Sequence, residues 1–210
     1  MRHLHFKPLR HPFERTVAVQ LRRTWGAHQN GWPMPPLADP PGDMDADDAR
    51  ASHYGLHLDG RFSGYARHLR PPQLGASDPC IRDLALGLPD RVDRLCVHPD
   101  RDNEGLLLWA LVRFVLAAIW ADSPSAHVLL ALPTGARAEQ DLVLLGERMH
   151  LVDERNASGH VQHWLVAPLA AMEHRTGHLE LKAALDDLGE QWRRSGSMSV
   201  LAGERATRWA

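Results

Sequence analysis

Two stretches of the chain gather residue types that can handle a charged ligand. The first, LRRTWGAHQNGWPMPPLADPPGDMDADDARASHY, carries Arg22, Trp25 and Trp32 and then a tight carboxylate group, Asp43, Asp45 and Asp48. The second contributes Gly64-Tyr65-Ala66-Arg67 and Arg91-Val92-Asp93-Arg94-Leu95-Cys96-Val97. Carboxylates attract an ammonium or a sulfonium, and an arginine gives a substrate carboxylate a charge-assisted partner. A tryptophan offers a flat apolar face to an aromatic ring and a π face to a cation. Together these types suit a small pocket for a cationic, aromatic-containing ligand. Each also has a plainer reading. GDMDADDA can be a solvated acidic loop, Arg67 and Arg94 can be surface ion-pair residues, and Trp32 can plug the core.

The elements that must hold these residues are legible in outline. Residues 12–30 can form a helix. GWPMPPLADPPGD contains five prolines, which forbid a helix interior and favour extended or turn backbone. Residues 1–52 therefore read as a helix followed by a Pro/Asp-rich arm over the pocket. HYGLHLDGRFSGYARHL reads as a hairpin, with Asp59-Gly60 as its turn. RVDRLCVHP is a third strand. Its apolar Val92, Leu95 and Val97 break strict alternation, so a bulge or a strand buried on both sides is expected. A long apolar helix is expected over about 103–121, and a strand at AHVLLALP. Ala138, Leu142, Leu145 and Met149 suggest a helix over 136–149. HVQHWLVAPL reads as a strand, 170–194 as a charged helix, and the last residues as frayed. This order gives a single α/β domain over 1–210, with helices on the faces of a mixed sheet.

The totals narrow the function. The chain has 210 residues and a formal net charge of −2, from 24 basic and 26 acidic side chains. That argues against a protein that coats nucleic acid. The basic residues are nearly all arginine, with lysine only at Lys7 and Lys182. Arginine richness can serve carboxylate or phosphate binding, and base composition of the gene is the simpler cause. Cys80 and Cys96 form no CxxC and no disulfide framework, which fits a reduced, cytoplasmic protein. Cys96 sits in an apolar run and reads as a small buried hydrophobe. The N-terminus lacks the apolar stretch of a secretory signal. Residues 105–121 are short for a membrane span and carry Arg113 in their middle, so stable membrane insertion is not expected. No histidine framework accompanies Asp45 and Asp48, so no metal is expected. His160 and His163 would point to opposite faces of a strand.

The order and spacing of these motifs resemble the acyl-homoserine-lactone synthases, the autoinducer synthases of quorum sensing, built on the Gcn5-related N-acyltransferase (GNAT) fold. The likeness runs over about residues 12–167. It rests on Arg22 with Gly31-Trp32 ten residues on, then Asp43, Asp45, Asp48 and Tyr54, then Gly64-Tyr65-Ala66-Arg67, and last Arg91-Val92-Asp93-Arg94. No one of these motifs is strong alone. Asp43 replaces the family's usual glutamate. Gly26, with Trp25 beside it, stands where an aromatic is common. Arg91 stands where a glutamate is expected, a charge reversal, and Asp93 replaces a serine. These two changes read either as a rearranged pair or as the mark of a different acceptor.

The resemblance implies a mixed, mostly antiparallel twisted sheet flanked by helices. It also implies a reaction with no permanently bound cofactor. The amine of S-adenosylmethionine attacks an acyl thioester, and the methionyl carboxylate then closes a lactone and releases methylthioadenosine. In that scheme Asp45, Asp48, Arg67 and Arg94 are the catalytic residues. Arg22, Trp25, Trp32, Asp43, Arg91, Asp93, Leu95 and Val97 bind substrate, and a backbone N–H of the Arg94–Val97 strand stabilises the oxyanion. The donor would be an acyl carrier protein or acyl-CoA, its phosphopantetheine arm lying between strands 91–97 and 126–132. Arg101-Asp-Asn-Glu-Gly105 has one glycine and two acidic residues. It is a poor phosphate cradle and tilts the expectation toward the carrier protein. The alternatives are an N-acyltransferase with another amine or amino-acid acceptor, and a non-catalytic ligand-binding homologue.

Overall fold

The hairpin turn is the clearest case of sequence dictating backbone. Asp59 (φ 51°) and Gly60 (φ 76°) both lie in the left-handed region, as a two-residue turn that matches strand twist requires. It joins β2 (Ser52–Leu58) to β3 (Arg61–Leu69). The Asp59 side chain accepts the His3 N–H at 2.7 Å, and the Asp59 N–H donates to the His3 carbonyl at 2.8 Å. That contact docks β1 (Arg2–Pro8), which pairs antiparallel with β2 from Leu4↔Leu58 to Pro8↔Tyr54.

The computed structural model describes residues 2–30, 47–70, 89–101, 106–122, 127–132, 147–155, 161–168 and 179–202. Beyond the hairpin lie β4 (Asp90–Val97), β5 (His127–Leu132), β6 (Glu147–Arg155), β7 (Val161–Pro168) and β8 (Met198–Ala202). The strands form one eight-stranded sheet in the order β6-β7-β5-β4-β3-β2-β1-β8. Among the described pairings only β4–β5 is parallel, and its ladder runs only from Asp90↔Val128 to Val92↔Leu130. Asp93–Val97 and Ala131–Leu132 continue as strands without pairing to each other, so the sheet opens there.

Helix α1 (Pro12–Asn30) covers one face, and α2 (Leu106–Asp122) and α3 (Leu179–Ser195) cover the other. On the α2 face Phe6, Leu56, Ala66, Val92, Leu95 and Val97 join Leu111, Val115 and Ile119 in one buried core. Helix α2 is apolar nearly all round because α3 covers its outer side. A Cβ on Gly189 of α3 would stand 3.5 Å from the Ala117 carbonyl oxygen. The Trp192 indole N–H donates to Asp122 at 2.7 Å, and that of Trp120 to Asp186 at 3.0 Å, tying the two helices together. On the α1 face Leu9, Ala18, Trp25, Tyr65 and Cys96 form a smaller cluster.

The expected helix at 12–30, the hairpin, the third strand and the strands near 127–132 and 161–168 are all present. The long apolar helix runs over Leu106–Asp122, with 103–105 outside the described residues. Two expectations are corrected and one element is added. Residues 147–149 belong to β6, not to a helix, and Met149 pairs with Trp164 of β7. Sparse apolar residues at helical spacing do not exclude a strand, and ladder pairing decides. The tail is not frayed throughout, because β8 pairs with β1 from Arg2↔Ala202 to Phe6↔Met198. The N-terminal segment, given no element by the sequence reading, is β1, which lies between β2 and β8. Among the described residues no helix is long and apolar enough to cross a membrane.

Candidate functional site

The third strand bends at one residue. Tyr65 pairs with Cys96 and Arg67 with Asp93, so Ala66 faces two residues of β4, Arg94 and Leu95. Arg94 takes φ 54°, an uncommon left-handed state for a residue with a Cβ. This is the bulge that the broken alternation foreshadowed. It reverses the strand's parity. Val92 lies on the α2 face with Leu95 and Val97, while Asp93 bonds to Arg67, which shares the α1 face with Tyr65 and Cys96.

On that face a charged network runs under α1. Arg22 grips the Asp48 carboxylate with two bonds of 2.7 Å. Arg67 donates to Asp48 at 3.0 Å and grips Asp93 with bonds of 2.6 and 2.8 Å. Arg91 reaches Asp93 at 3.2 Å. Tyr65 and His53 complete it: Arg22 lies 3.3 Å from the Tyr65 hydroxyl, which lies 2.7 Å from His53 Nδ1. Arg22, Asp48, His53, Tyr65, Arg67 and Asp93 are all buried.

Burial so deep sets the protonation states. Desolvation would raise the Asp48 carboxyl, but the Arg22 bond and the Arg67 charge overcome it and hold it at about 2. Burial likewise opposes ionisation of Asp93, and Arg67 prevails there too, keeping its pKa below the ordinary value. Asp48 is therefore a carboxylate with both oxygens occupied by guanidinium groups, too weak a base to take a proton from an amine near neutral pH. Burial pushes the Cys96 thiol up to about 12, which leaves it a poor nucleophile and agrees with its reading as a buried hydrophobe.

Of the residues singled out by sequence, Arg22, Asp48, Arg67, Arg91 and Asp93 come together in this network. Arg94 forms the bulge beside it. Asp43, Asp45 and Trp32 lie outside the described residues. Trp25 is a core residue, packed between Phe62 and His98 at ring separations of 5.7 and 5.4 Å. Leu95 and Val97 bury their side chains in the α2 core, so those side chains do not reach the α1 face. At the two departures from the family pattern, Asp93 supplies a carboxylate to Arg67 and Arg91 sits against the same carboxylate. Sequence reasoning assigned nothing to His53 and Tyr65. The alternation of Tyr65 with Arg67 on one strand was the available signal. Among the described residues no group of three or more His, Cys, Asp or Glu could hold a metal ion.

No protein-family model matches this chain, and neither does any curated protein. Solved structures do resemble it. An N-acyl amino acid synthase from uncultured soil microbes, FeeM, superposes with a TM-score of 0.57 at 14% identity, over 85% of this chain and 98% of that one. The aminoglycoside acetyltransferase AAC(6')-Ib in complex with coenzyme A gives 0.56 at 18% identity, over 82% and 99%. The acyl-homoserine-lactone synthase LasI gives 0.53 at 13% identity, over 80% and 90%. At such identities the likeness speaks for the fold. Together with the mixed, mostly antiparallel sheet and its flanking helices, it shows that this chain has the Gcn5-related N-acyltransferase fold.

Proposed function

We propose that the protein is an N-acyltransferase that moves an acyl group from a thioester to the amine of a small acceptor, with an amino acid ahead of S-adenosylmethionine as that acceptor. The observation that carries this reading is the bulge at Arg94 beside the point where the β4–β5 ladder ends. An opened sheet edge offers a thioester arm backbone groups to pair with. Backbone N–H groups of β4 after the bulge are the candidate donors to the oxyanion that forms on the acyl carbonyl. The acceptor nitrogen bonds to the acyl carbon, the C–S bond breaks, and the thiol leaves with a proton. A direct transfer fits the high pKa of Cys96, which makes an acyl-enzyme on that thiol unattractive.

The ionic network is the proposed floor of the acceptor side. Asp48 and Asp93 act there through charge and position, not as bases. Each is already held by arginines, so neither is a bare carboxylate waiting for a sulfonium. That favours an acceptor other than S-adenosylmethionine. Likeness to an N-acyl amino acid synthase and to an aminoglycoside acetyltransferase supports the wider class. The second reading, a lactone synthase with an acyl carrier protein as donor, is favoured by the motif spacing from Arg22 to Arg94 and by likeness to LasI.

The test is mass spectrometry on purified protein given acyl-CoA and acyl carrier protein donors, with amino acids and S-adenosylmethionine as competing acceptors. N-acyl amino acid without methylthioadenosine is the expected product. Acyl-homoserine lactone with methylthioadenosine would establish the second reading. No amide from any pair would refute both.

A further inference from the structure

Four buried side chains close a ring of hydrogen bonds, and the ring has a direction. The Asp48 main-chain carbonyl lies 2.8 Å from His53 Nε2 and can only accept, so Nε2 carries the hydrogen. In a neutral imidazole Nδ1 is then an acceptor, and the Tyr65 hydroxyl donates to it at 2.7 Å. The Tyr65 oxygen faces an Arg22 N–H at 3.3 Å, and Arg22 returns to the Asp48 carboxylate through its two bonds of 2.7 Å.

A second proton on His53 does not fit this ring. It would set an N–H against the Tyr65 O–H, and that hydroxyl cannot simply turn its hydrogen toward the Arg22 N–H. The surroundings agree. Arg15 and Arg22 of α1 oppose a cation here, and Asp48 of the turn favours one. Arg67 stands opposite on β3, and β4 sets the protonated thiol of Cys96 beside Tyr65. Leu9, just after β1, donates its N–H to the His53 carbonyl at 2.8 Å. Burial is the largest influence, and the imidazole is held below its ordinary pKa.

We propose that His53 is a positioning residue of the acceptor pocket: its Nε2–H latches the Asp47–Ala51 turn, and with it the Asp48 carboxylate, against Arg22 and Arg67, the Tyr65 hydroxyl holds the ring in place through Nδ1, and protonation at Nδ1 removes that Tyr65 bond and so loosens the latch. The acceptor pocket rests on the acyltransferase reading, whereas the latch stands or falls by itself. The turn carries its own reporters, because the N–H groups of Arg50 and Ala51 both donate to the Asp47 carbonyl at 3.0 Å.

The experiment is NMR on the full chain labelled with ¹⁵N, read as the His53 ring tautomer and as hydrogen-exchange protection of the Arg50 and Ala51 amides, corrected for intrinsic exchange, from pH 8 down to pH 5. The expected result is an Nε2–H ring near neutral pH and a loss of protection of about tenfold as His53 titrates. Tyr65→Phe keeps the ring in the core and should lose that protection at every pH. An Nδ1–H tautomer, or protection that ignores the titration, overturns the latch. With acyl transfer in hand, the KM for the acceptor should rise as pH falls through the same titration, and a KM that ignores it overturns the positioning role. No transfer to any acceptor, with tautomer and protection as expected, overturns the acyltransferase reading and supports the latch.

Discussion

Strands β2–β4 present opposite chemistry on their two faces. Toward α2 they show Leu56, Ala66, Val92, Leu95 and Val97, packed against a helix that is nearly all apolar. Toward α1 they show His53, Tyr65, Arg67 and Asp93, joined to Arg22 and Asp48. Apolar burial stabilises by roughly 25 cal/mol for each Å² removed from water. Buried ion pairs do little better than break even against hydrophobic side chains of the same size. The α2 face is what stability alone would select. The α1 face carries several buried charges that stability does not require, and that contrast directs attention to it as the site.

The largest effect expected from breaking the contrast is at Arg67. Arg67→Ala leaves Asp48 and Asp93 short of a shared partner and should cost roughly 3–5 kcal/mol, measured by urea unfolding. Leu111→Ala on the other face should cost about 2–5 kcal/mol through its cavity, with no change in pH dependence. The pH profile separates the two faces more sharply. Asp48 lies at about 2 against an ordinary 3.8, so its share of stability is present above pH 3.8 and lost as pH falls toward 2. That share is about 2 kcal/mol, and Asp48→Asn should flatten the acid limb. His53, held below 6.5, works in the same direction, destabilising the native state as pH drops below 6.5. The smallest expected effect lies outside both faces. Gly60→Ala in the hairpin turn should cost about 1 kcal/mol because of its positive φ, with open space around the new methyl group.

Local chemistry was legible in the sequence and long-range pairing was not. Asp59-Gly60 announced its turn, and Val92, Leu95 and Val97 announced the bulge at Arg94, because both are written in neighbouring residues. Arg22, Asp48, Arg67 and Asp93 could be named as candidates. Their pairing across as many as 26 positions of the chain could not be read from one strand's pattern. The ladder register, which sets Arg67 opposite Asp93 and Leu69 opposite Arg91, is why Asp93, and not residue 91, supplies the carboxylate. β1 escaped because it is rich in polar residues and β8 because it is only five residues long; pairing makes them strands, β1 between β2 and β8, and β8 on β1. Trp25 looked like a ligand surface by residue type. Its packing against Phe62 and His98 makes it part of the α1 core.

The most direct test of the claim that the α1 face is an acyl-acceptor site replaces part of its network with apolar side chains of similar size. In Arg67→Met/Asp93→Leu one buried opposite pair leaves together and Asp48 keeps its two bonds to Arg22, so the melting temperature should stay within about 5 °C of wild type. Single-turnover acyl transfer should fall by at least about a hundredfold. Full turnover in a variant of unchanged stability would show that the network is scaffolding and that the site lies elsewhere.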